Sequence, residues 1–448
     1  MHRSKTKNQL QANHRFVSWF RNSSPYINAF RSKTFVISFS GELLQGKGLA
    51  SLIQDIALLN SLGIRLILVY GLRPQIDQRL MDQGIEPRYH QGIRITDDVA
   101  QSCIREISGA ARITIESLLS MGLANTPMSG ADIKVISGNF ITARPLGIID
   151  GVDFQHTGQV RRIDRKSVEQ CLANDAVVML PPLGFSPSGE FFNLSAHDVA
   201  TSAAIALGAD KLILLVGPEG LRRGQRQLPR ELTLAEAEAL VSRTPGPETP
   251  LGILTPLHQA SRACRQGVTR AHILDENIDG ALLLELFTRD GSGVMISTDR
   301  YEDIRHATID DVGGILKLIT PLEERKVLVR RSREELEISI DHFVVAERDG
   351  MIIACGSLYP FPEENVGEIS CLAVHDDYQG MGYGNELLTY MESRAKKAGL
   401  KSLFVLTTQA PHWFRERGFN ETSLDALPLE RRQLYNYQRN SLILIKGL

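Results

Sequence analysis

The hexapeptide Gln379-Gly380-Met381-Gly382-Tyr383-Gly384 lies between an apolar, strand-like run at residues 369–374 and a helical run that begins at Asn385. Its three glycines occupy alternate positions, so the backbone can approach an anionic ligand without obstruction from Cβ atoms. A helix that follows such a loop directs its first N–H groups and the positive end of its dipole towards the anion. The stretch therefore predicts a pyrophosphate-binding loop, which suits a nucleotide-like cofactor such as coenzyme A.

The glycine spacing disfavours a dinucleotide site. The fingerprint G-x-G-x-x-G is not matched, because the glycines fall at every second position, and no acidic residue ends a following strand about twenty positions on. A nicotinamide or flavin cofactor is therefore not expected. A plain glycine-rich turn between a strand and a helix remains the alternative.

Length and composition limit the number of globular units and the kinds of partner that the chain can have. The chain has 448 residues, 43% hydrophobic and 23% charged, which is more than one compact core usually accommodates. The net charge of −2 argues against a general nucleic-acid binder, and no apolar run approaches the roughly 18 to 20 residues that span a bilayer. We expect two or three globular units without nucleic-acid or membrane partners, and a cytoplasmic location.

The cysteines favour reduced thiols over a disulfide framework or a zinc site. They are odd in number, scattered along the chain, and form no C-x-x-C pair. The five positions are Cys103, Cys171, Cys264, Cys355 and Cys371. We therefore predict no bound metal.

The N-terminal segment allows two interpretations. The first 41 residues contain several Lys and Arg but no Asp or Glu, which is the charge bias of a transit peptide. Phe16, Trp19 and Phe20 lie at helical spacing ahead of Tyr26, which predicts an amphipathic helix that packs against another surface, for example that of another subunit. We favour the helix, as an arm over residues 1–30, while a targeting role stays open.

Residues 31–298 alternate strand patterns with helical patterns. Such alternation implies a parallel sheet with helices on both faces. Strands are predicted at residues 35–39, 66–70, 177–180, 212–216, 271–274 and 294–297, with helices at residues 49–62 and after Pro74. The fold class is therefore α/β, with an N-terminal three-layer αβα domain built on an open, mostly parallel sheet.

A polar link at residues 299–303 leads to a second unit at residues 304–448. Its pattern is a strand, a helix, a run of strands, the glycine loop with its helix, another strand and a short helix. This order predicts a small C-terminal α/β domain with a mixed, antiparallel-rich sheet.

The second unit resembles the GCN5-related N-acetyltransferase (GNAT) family. The resemblance rests on Gln379-x-x-Gly382-x-Gly384 as an acetyl-CoA loop, on Cys371-Leu372-Ala373-Val374 before it, and on the stretch at residues 412–419. It implies an acetyltransferase domain with acetyl-CoA as co-substrate.

The first unit resembles the amino-acid kinase fold of N-acetylglutamate kinases. Its markers are the stretches at residues 71–76, 92–97 and 285–293. The two units in this order resemble the bacterial N-acetylglutamate synthases. That family implies an enzyme that acetylates the α-amino group of L-glutamate in the first step of arginine biosynthesis.

The kinase-like unit departs from working kinases at the positions that handle phosphate. Ser38-Phe39-Ser40-Gly41 stands where the kinases carry a lysine and a Gly-Gly pair, and Gly71-Leu72-Arg73 stands for their glycine triplet. Leu257 occupies a second lysine position, and His197 replaces an aspartate, although Asp198 is adjacent. Phosphoryl transfer depends on such cations and glycines, so we expect no kinase activity.

The same unit resembles arginine-sensitive kinases at four positions, Tyr26, His272, Glu285 and Gly291. The resemblance implies L-arginine as an allosteric inhibitor. Glu285 would bind the guanidinium bidentately, and backbone near Gly291 would hold an α-amino or carboxylate group. The residue types alone equally fit an ordinary ion pair and a turn.

Acetyl transfer needs a base for the substrate ammonium and a donor for the departing thiolate. Glu368 opens an otherwise apolar strand, and apolar surroundings would strengthen it as a base. Thr407, after the strand at residues 403–406, would assist the thiolate. Tyr435 and Tyr437 are alternative proton donors, and each carboxylate or hydroxyl also fits a structural role.

Glutamate carries two carboxylates, so two cationic clamps are expected. The resemblance assigns substrate binding to Arg331, Cys371, Arg439 and Ser441, with Arg330 and Arg333 as alternatives to the first. Backbone groups of the strand before the loop would bind the acetyl and pantetheine portions as an added strand does. The implied cofactor-binding residues are Cys371, Leu372, Val374, Gln379, Gly380, Gly382, Gly384 and Asn385.

Two other functions remain open, an acetyltransferase for another amine and a non-catalytic arginine sensor. The intact glycine loop beside Glu368 argues against the sensor. The family resemblance and the aromatic N-terminal helix imply a homo-oligomer, specifically a hexamer.

Overall fold

A computed structural model describes residues 2–122, 128–223, 226–242, 251–288, 291–298, 303–348, 351–435 and 441–448. The chain forms two compact units, Met1–Asp299 and Arg300–Leu448. Arg439 and Tyr437, and residues 299–302 of the predicted link, lie outside the described residues.

The first unit is built on an eight-stranded sheet with helices on both faces. Its strands are parallel except for one antiparallel pair, Arg270–Asp275 with Val294–Ser297. Along the central strand Thr34–Phe39, Phe35 and Ile37 pack into the core on one face and Val36 into the core on the other. This confirms the predicted three-layer αβα architecture with an open, mostly parallel sheet.

The strands of this sheet, in spatial order, are Glu231–Thr233, Val294–Ser297, Arg270–Asp275, Lys211–Val216, Thr34–Phe39, Arg65–Tyr70, Val177–Leu180 and Val135–Ser137. The helices of the unit are His2–Phe30, Gly41–Gln45, Leu49–Ser61, Arg73–Asp82, Asp98–Leu119, Arg165–Ala173, Ala196–Leu207, Leu234–Ser242, Leu251–Arg265 and Ala281–Phe287, with a 3-10 turn at Pro218–Leu221.

A second, four-stranded sheet in this unit was missing from the sequence-based prediction. Its strands, in spatial order, are Phe191–Asn193, Leu183–Phe185, Ile141–Pro145 and Gly158–Ile163. These segments are short and half-buried, so they lack the continuous apolar runs that marked the main sheet. Three two-stranded ribbons accompany it, Tyr89–His90 with Ile93–Arg94, Ile148–Ile149 with Val152–Asp153, and Arg222–Arg223 with Arg226–Gln227.

The N-terminal segment forms the helix His2–Phe30. Phe16, Trp19 and Phe20 are exposed along it, whereas Tyr26 near its C-terminal end is buried. Phe30 packs edge-on against Phe35 and Phe287, which fastens this end to the first unit. Packing of the exposed aromatic side chains against another subunit stays a prediction.

The second unit contains a seven-stranded mixed sheet, which confirms the predicted class. In spatial order its strands are Asp303–His306, Phe343–Arg348, Met351–Phe361, Val366–Val374, Ser402–Thr407, Leu442–Gly447 and Asn420–Glu421. Asp303, predicted to end the link, already pairs with Glu347 as the first residue of a strand.

Helices cover both faces of this sheet. The helix after the glycine loop, Tyr383–Lys397, packs in one core, and Val312–Glu324 with Arg333–Ser339 packs in the other. The remaining helices are Pro411–Arg415 and Leu429–Gln433, with 3-10 turns at Ile309–Asp311, Ile340–His342, Asp376–Tyr378 and Leu424–Ala426.

Two neighbouring strands of this sheet separate partway along their length. Val366–Val374 and Ser402–Thr407 run parallel, and their pairing ends at Ile369 and Val405, although both strands continue. Within the part of the chain that the structure describes, one edge of residues 370–374 has no neighbouring strand beyond Ile369. The gap between the two strands is the place where the sheet can admit a ligand.

Within the described ranges, no helix is long and apolar enough to cross a membrane.

Two adjacent glycines in the helix Val312–Glu324 give a matched stability test. A Cβ at Gly314 would lie 2.7 Å from Ile352 Cγ1, whereas one at Gly313 would meet no atom within 4 Å. We expect Gly314→Ala to destabilise the unit by about 1–3 kcal/mol through overpacking. Gly313→Ala should be neutral or stabilise it by up to about 1 kcal/mol, because alanine lowers the entropy of the unfolded chain. Thermal unfolding of the two variants checks this, and equal effects would contradict it.

Candidate functional site

A cavity of about 830 Å³ opens in the second unit where the two parallel strands separate. It is lined by all predicted catalytic, substrate-binding and cofactor-binding residues that lie within the described ranges. They are Arg331, Glu368, Cys371, Leu372, Val374, Gln379, Gly380, Gly382, Gly384, Asn385, Thr407 and Ser441. The structure thus brings together positions that are up to 110 residues apart in the sequence.

The glycine loop has the backbone geometry that its sequence predicted. Gly380 and Gly382 adopt positive φ angles of 81° and 103°, which side-chain-bearing residues rarely adopt. Gly382 caps the 15-residue helix Tyr383–Lys397, and its carbonyl accepts the N–H of Asn385 at 2.9 Å. The N-terminus of this helix meets the cavity, so the loop and the helix dipole together favour a phosphate-bearing ligand there.

A β-bulge shapes the strand ahead of the loop. Cys355 pairs with Ala373 and Ser357 with Ser370, so Gly356 alone faces two residues. One of the two is Cys371, which has φ +53° and a side chain that is only 4% exposed. The bulge bends the strand at the point where its parallel neighbour leaves, and the open backbone edge suits an extended ligand such as a pantetheine arm.

The Cys371 thiol is packed against a second thiol. A hydrogen bond with Cys355 lowers the pKa of Cys371 despite burial, with help from the Arg331 charge. The same hydrogen bond and burial raise the pKa of Cys355 well above its usual range. The Cys355 Sγ lies 3.6 Å from the Cys371 carbonyl oxygen. This packing fits the expectation that Cys371 contributes backbone groups.

Glu368 is buried, with 7% of its surface exposed, and its surroundings differ from the expected apolar ones. The guanidinium of Arg431 donates from Nε to Oε2 at 2.6 Å and from Nη2 to Oε1 at 3.1 Å. Sequence reasoning missed this pair. Strand position predicted the burial of Glu368, but its partner comes from a short helix 63 residues later.

Two hydroxyl-bearing residues line the same cavity, Thr407 at the end of the opposite strand and Tyr435 after the helix Leu429–Gln433. Thr407 is 8% exposed, and its Oγ1 accepts the N–H of Ala410 at 3.1 Å. A hydroxyl that accepts one bond can also donate one through its own O–H. Tyr435, the alternative proton donor, lines the cavity and donates its hydroxyl to the Ser441 carbonyl at 2.8 Å.

The structure distinguishes Arg331 from Arg330 and Arg333, the two alternative candidates for binding a substrate carboxylate. Arg331 lines the cavity and donates from Nη2 to Ser370 Oγ at 3.1 Å, while Arg330 is exposed. Arg333 is exposed and pairs with Glu337 at 2.7 Å on its own helix. Of the predicted substrate clamps in the described residues, Arg331 is therefore the cation placed to meet a carboxylate in the cavity.

A cation also stands beside the glycine loop, and the sequence analysis missed it. Arg417 stacks on Trp413 with its Cζ 3.9 Å from the ring centroid, and it donates to Asn385 Oδ1 at 3.1 Å. Both Arg417 and Trp413 line the cavity, and a Cβ at Gly384 would lie 3.2 Å from Trp413. The stretch at residues 412–419 carried the signal, but nothing in it showed which side chain reaches the loop.

Together these groups can bind a diphosphate, hold an extended thioester along an open strand edge, and accept a proton beside it. A buried carboxylate, a hydroxyl and a cation line one cavity with the loop. Among the described residues, no three His, Cys, Asp or Glu side chains are grouped to hold a metal ion. The arrangement suits acyl transfer to an amine.

The four predicted arginine-site positions belong to one region of the first unit. His272 Nδ1 lies 2.6 Å from Glu285 Oε1, and both side chains are buried. Gly291 has φ +60°, and a Cβ there would lie 2.5 Å from Glu285 Oε2. The Lys211 ammonium lies 3.3 Å from His272 Nε2, and the Phe30 ring packs against that ammonium. Tyr26 lies on the same helix as Phe30.

The Glu285 carboxylate is more fully engaged than the sequence analysis expected. Its Oε2 accepts the N–H groups of Ser292 at 2.6 Å and Gly293 at 2.9 Å, in addition to the bond at Oε1. Bidentate binding of a guanidinium is therefore not open to it as it stands. A guanidinium can add one bond at Oε1 or replace the His272 bond.

Charges in this cluster follow from burial and hydrogen bonding. Burial, reinforced by the Lys211 charge, lowers the pKa of His272 to about 4 despite the carboxylate beside it. Burial alone would raise the pKa of Glu285, but the bonds from His272, Ser292 and Gly293 outweigh it and hold the value at about 2. At neutral pH, a neutral imidazole therefore bridges the Lys211 ammonium and the Glu285 carboxylate.

At the positions where the first unit departs from working kinases, the side chains are poorly suited to phosphoryl transfer. Leu257 is 2% exposed and contributes only an apolar side chain. Burial lowers the pKa of His197 to about 4, so this residue is neutral, and Asp198 is held by Arg262 at 2.7 Å. None of these groups supplies the cation or free carboxylate that phosphoryl transfer needs.

Two family models match the chain. The amino acid kinase family matches residues 33–275, and the acetyltransferase (GNAT) family matches residues 314–419. The chain is 50% identical to the amino-acid acetyltransferase of Ectopseudomonas mendocina, over 97% of this chain and 100% of that protein. It is 51% identical to the amino-acid acetyltransferase of Azotobacter vinelandii, over 97% of this chain and 99% of that protein.

Solved structures extend the similarity. N-acetylglutamate synthase from Neisseria gonorrhoeae in complex with coenzyme A and L-arginine matches with a TM-score of 0.86 and 38% identity. The same enzyme in complex with coenzyme A and N-acetyl-glutamate matches with a TM-score of 0.61 and 38% identity. Each match covers 97% of this chain and 99% of the solved one.

The His272 cluster predicts a pH dependence of stability. Unfolded histidine binds a proton near pH 6.5, whereas folded His272 binds one only near pH 4. The free energy of unfolding should therefore fall as the pH falls between these values, by roughly 3 kcal/mol in total from this group. Glu285 adds a further loss as the pH falls from 4.5 towards 2.

Thermal unfolding of His272→Asn from pH 7.5 to 4.5 checks this. The variant should lose less stability per pH unit than the parent, because the buried titrating group is gone. His258→Asn, at an exposed histidine, is the matched control and should keep the parental slope. A parental slope in His272→Asn would contradict the assignment.

Proposed function

The chain belongs to the family of amino-acid acetyltransferases, and we propose that it transfers the acetyl group of acetyl-CoA to the α-amino group of L-glutamate. The observation that carries the proposal is the meeting of the glycine loop, the carboxylate of Glu368 and the guanidinium of Arg331 in one cavity. The relative from Neisseria gonorrhoeae, solved with coenzyme A and N-acetyl-glutamate, supports the choice of substrate.

In this mechanism the cofactor binds along the open strand edge. The loop at Gly380 and Gly382 and the helix N-terminus hold the diphosphate, and backbone groups of Cys371, Leu372 and Val374 hold the pantetheine and acetyl portions. The remaining cofactor-binding positions, Gln379, Gly384 and Asn385, lie in the same loop and helix. This arrangement presents the thioester carbonyl to the part of the cavity that Glu368 lines.

Glu368 takes a proton from the substrate ammonium, directly or through a water molecule, and the neutral amine then attacks the thioester carbonyl. The C–S bond breaks, and the thiolate of coenzyme A is protonated, with Thr407 as the assisting hydroxyl. Tyr435 is the alternative donor. Arg331 binds one substrate carboxylate, while Ser441 and Arg439, the latter outside the described residues, are assigned to the other.

We further assign feedback inhibition by L-arginine, the end product of the pathway that begins with acetylglutamate, to the cluster of Tyr26, His272, Glu285 and Gly291. The Neisseria gonorrhoeae relative solved with coenzyme A and L-arginine supports this assignment. Inhibition then requires that arginine bind an inactive state more tightly than an active one.

A cytoplasmic location and a homo-hexameric assembly complete the proposal, and the exposed aromatic face of the N-terminal helix supports the assembly.

Acceptor selectivity tests the catalytic half of the proposal. Thiol release from acetyl-CoA is measured with L-glutamate, L-glutamine, L-aspartate and no acceptor. We expect turnover selective for glutamate, and a rise of at least about tenfold in its KM in Arg331→Gln, because a buried carboxylate contact is lost. Arg330→Gln is the matched neighbour outside the cavity and should leave KM unchanged. Turnover indifferent to the γ-carboxylate would favour a transferase for another amine.

The arginine response tests the regulatory half. L-arginine should lower the rate with glutamate and raise the unfolding temperature, because a ligand that binds the folded state stabilises it. Glu285→Gln should abolish both effects while it retains turnover, since Glu285 belongs to the other unit. If arginine changes neither the rate nor the unfolding temperature of the parent, the arginine site is wrong.

A further inference from the structure

The ion pair between Arg431 and Glu368 occupies the catalytic cavity, and the acetyl transfer outlined above assigns it no role. Both carboxylate oxygens take part, at 2.6 Å and 3.1 Å. The side chain of Glu368 is 9% exposed and that of Arg431 is 24% exposed, so the pair is largely removed from water. A charge pair in such a position is far less screened than a surface pair.

Arg431 is held in place by the segment around it. It lies on the short helix Leu429–Gln433, which follows Leu427, a residue buried against Phe404 and Ile443. The neighbouring Arg432 donates to the backbone carbonyls of Asp425 at 2.6 Å and Leu427 at 3.2 Å. The guanidinium of Arg431 is thus presented to the cavity by a fastened backbone, so little conformational freedom is lost when it pairs.

We propose that Arg431 is a positioning residue for acetyl transfer, which fixes the direction in which the Glu368 carboxylate accepts a proton. The proposal rests on the function given above, in which Glu368 takes the proton of the substrate amine. Each carboxylate oxygen offers two acceptor sites, and the guanidinium takes one on each. The remaining sites are left for the amine or for a bridging water.

Arg431 acts on both partners of the proton transfer. Its guanidinium holds the Glu368 carboxylate in one direction through two charge-assisted hydrogen bonds. It also repels a substrate ammonium beside the carboxylate, which favours loss of the ammonium proton. The other titratable groups that neighbouring elements bring towards Glu368 are Tyr359, its cross-strand partner, and Arg331 and Tyr435 in the cavity wall. Only Arg431 forms an ion pair with Glu368 among the described residues.

Replacement of the guanidinium should lower kcat more than it changes the KM for the amino acid. In Arg431→Gln the carboxylate is no longer held in one direction, so kcat should fall by about tenfold or more while KM changes by no more than about twofold. A purely structural defect that disturbs the cavity would change KM as well.

A double-mutant cycle tests whether Arg431 acts through Glu368. Glu368→Gln alone should lower kcat by about 10²–10⁴-fold. Adding Arg431→Gln in that background should cost no more than about twofold, because the group on which the arginine acts is already gone. A full, additive loss in the double variant would overturn the proposal.

Arg432→Gln is the matched control, since Arg432 fastens the same helix and makes no contact with Glu368 in the described structure. It reports what loosening of the segment does alone, and it should leave kcat within about twofold of the parent. Chemical rescue gives an independent test. Guanidinium ions at millimolar concentration should restore part of the activity of Arg431→Ala and none of any loss in Arg432→Ala. An equal loss of kcat in Arg432→Gln, or no rescue of Arg431→Ala, would overturn the proposal.

The variants are measured with whichever amino acid the parent acetylates fastest. A preference for an acceptor other than glutamate overturns the proposed substrate and leaves the test of Arg431 intact. Glutamate turnover with an unchanged kcat in Arg431→Gln overturns the role of Arg431 and leaves the proposed function intact.

Discussion

Parallel pairing between Val366–Val374 and Ser402–Thr407 stops at Ile369 and Val405, and the transferase site depends on that point. A sheet that continued to pair would bury the backbone edge of residues 370–374 and close the cavity. Backbone groups in a buried sheet need hydrogen-bond partners, so an edge left open inside a fold is poised to accept a ligand with alternating donors and acceptors. A pantetheine arm, with its two amides, is such a ligand.

The bulge at Cys371 maintains this opening. A non-glycine residue at φ +53° stores on the order of 1–3 kcal/mol and persists only where the surroundings fix it. Here Gly356 lies across the bulge, and the Cys355 thiol lies close to the Cys371 carbonyl. The extra residue bends the strand away from its neighbour. Strain at one residue thus supports the open edge at which we propose that the cofactor binds.

Sequence patterns predicted local features well and long-range partners poorly. The glycine loop was predictable because alternate glycines, a strand before them and a helix after them are one local unit. The alternating strands and helices of the first unit were predictable for the same reason. The four-stranded sheet was missed because its half-buried strands carry no continuous apolar run, and its pairing joins distant segments.

The pairing of Glu368 with Arg431 illustrates the limit in the site itself. Burial of Glu368 followed from its strand, but its partner comes from a five-residue helix in a polar, arginine-rich stretch. No periodicity marks which of Arg431 and Arg432 turns inward. That choice is made by the packing of Leu427 and by the backbone carbonyls that Arg432 binds. Such information exists only once the fold has formed.

Glu285 and Glu368 are both buried carboxylates, but they differ in the donors that surround them. That difference determines which chemistry each carboxylate can perform. Glu285 accepts bonds from an imidazole and two backbone N–H groups, and its pKa of about 2 prevents it from acting as a base near neutral pH. Among the described residues, the Glu368 carboxylate accepts hydrogen bonds only from the Arg431 guanidinium, and it faces a cavity of about 830 Å³. A carboxylate surrounded by fixed donors can organise a binding site, whereas one paired on a single side can also exchange a proton with a substrate on the other. Burial is common to both groups, so the number and placement of their donors, which the sequence does not display, distinguish the two carboxylates.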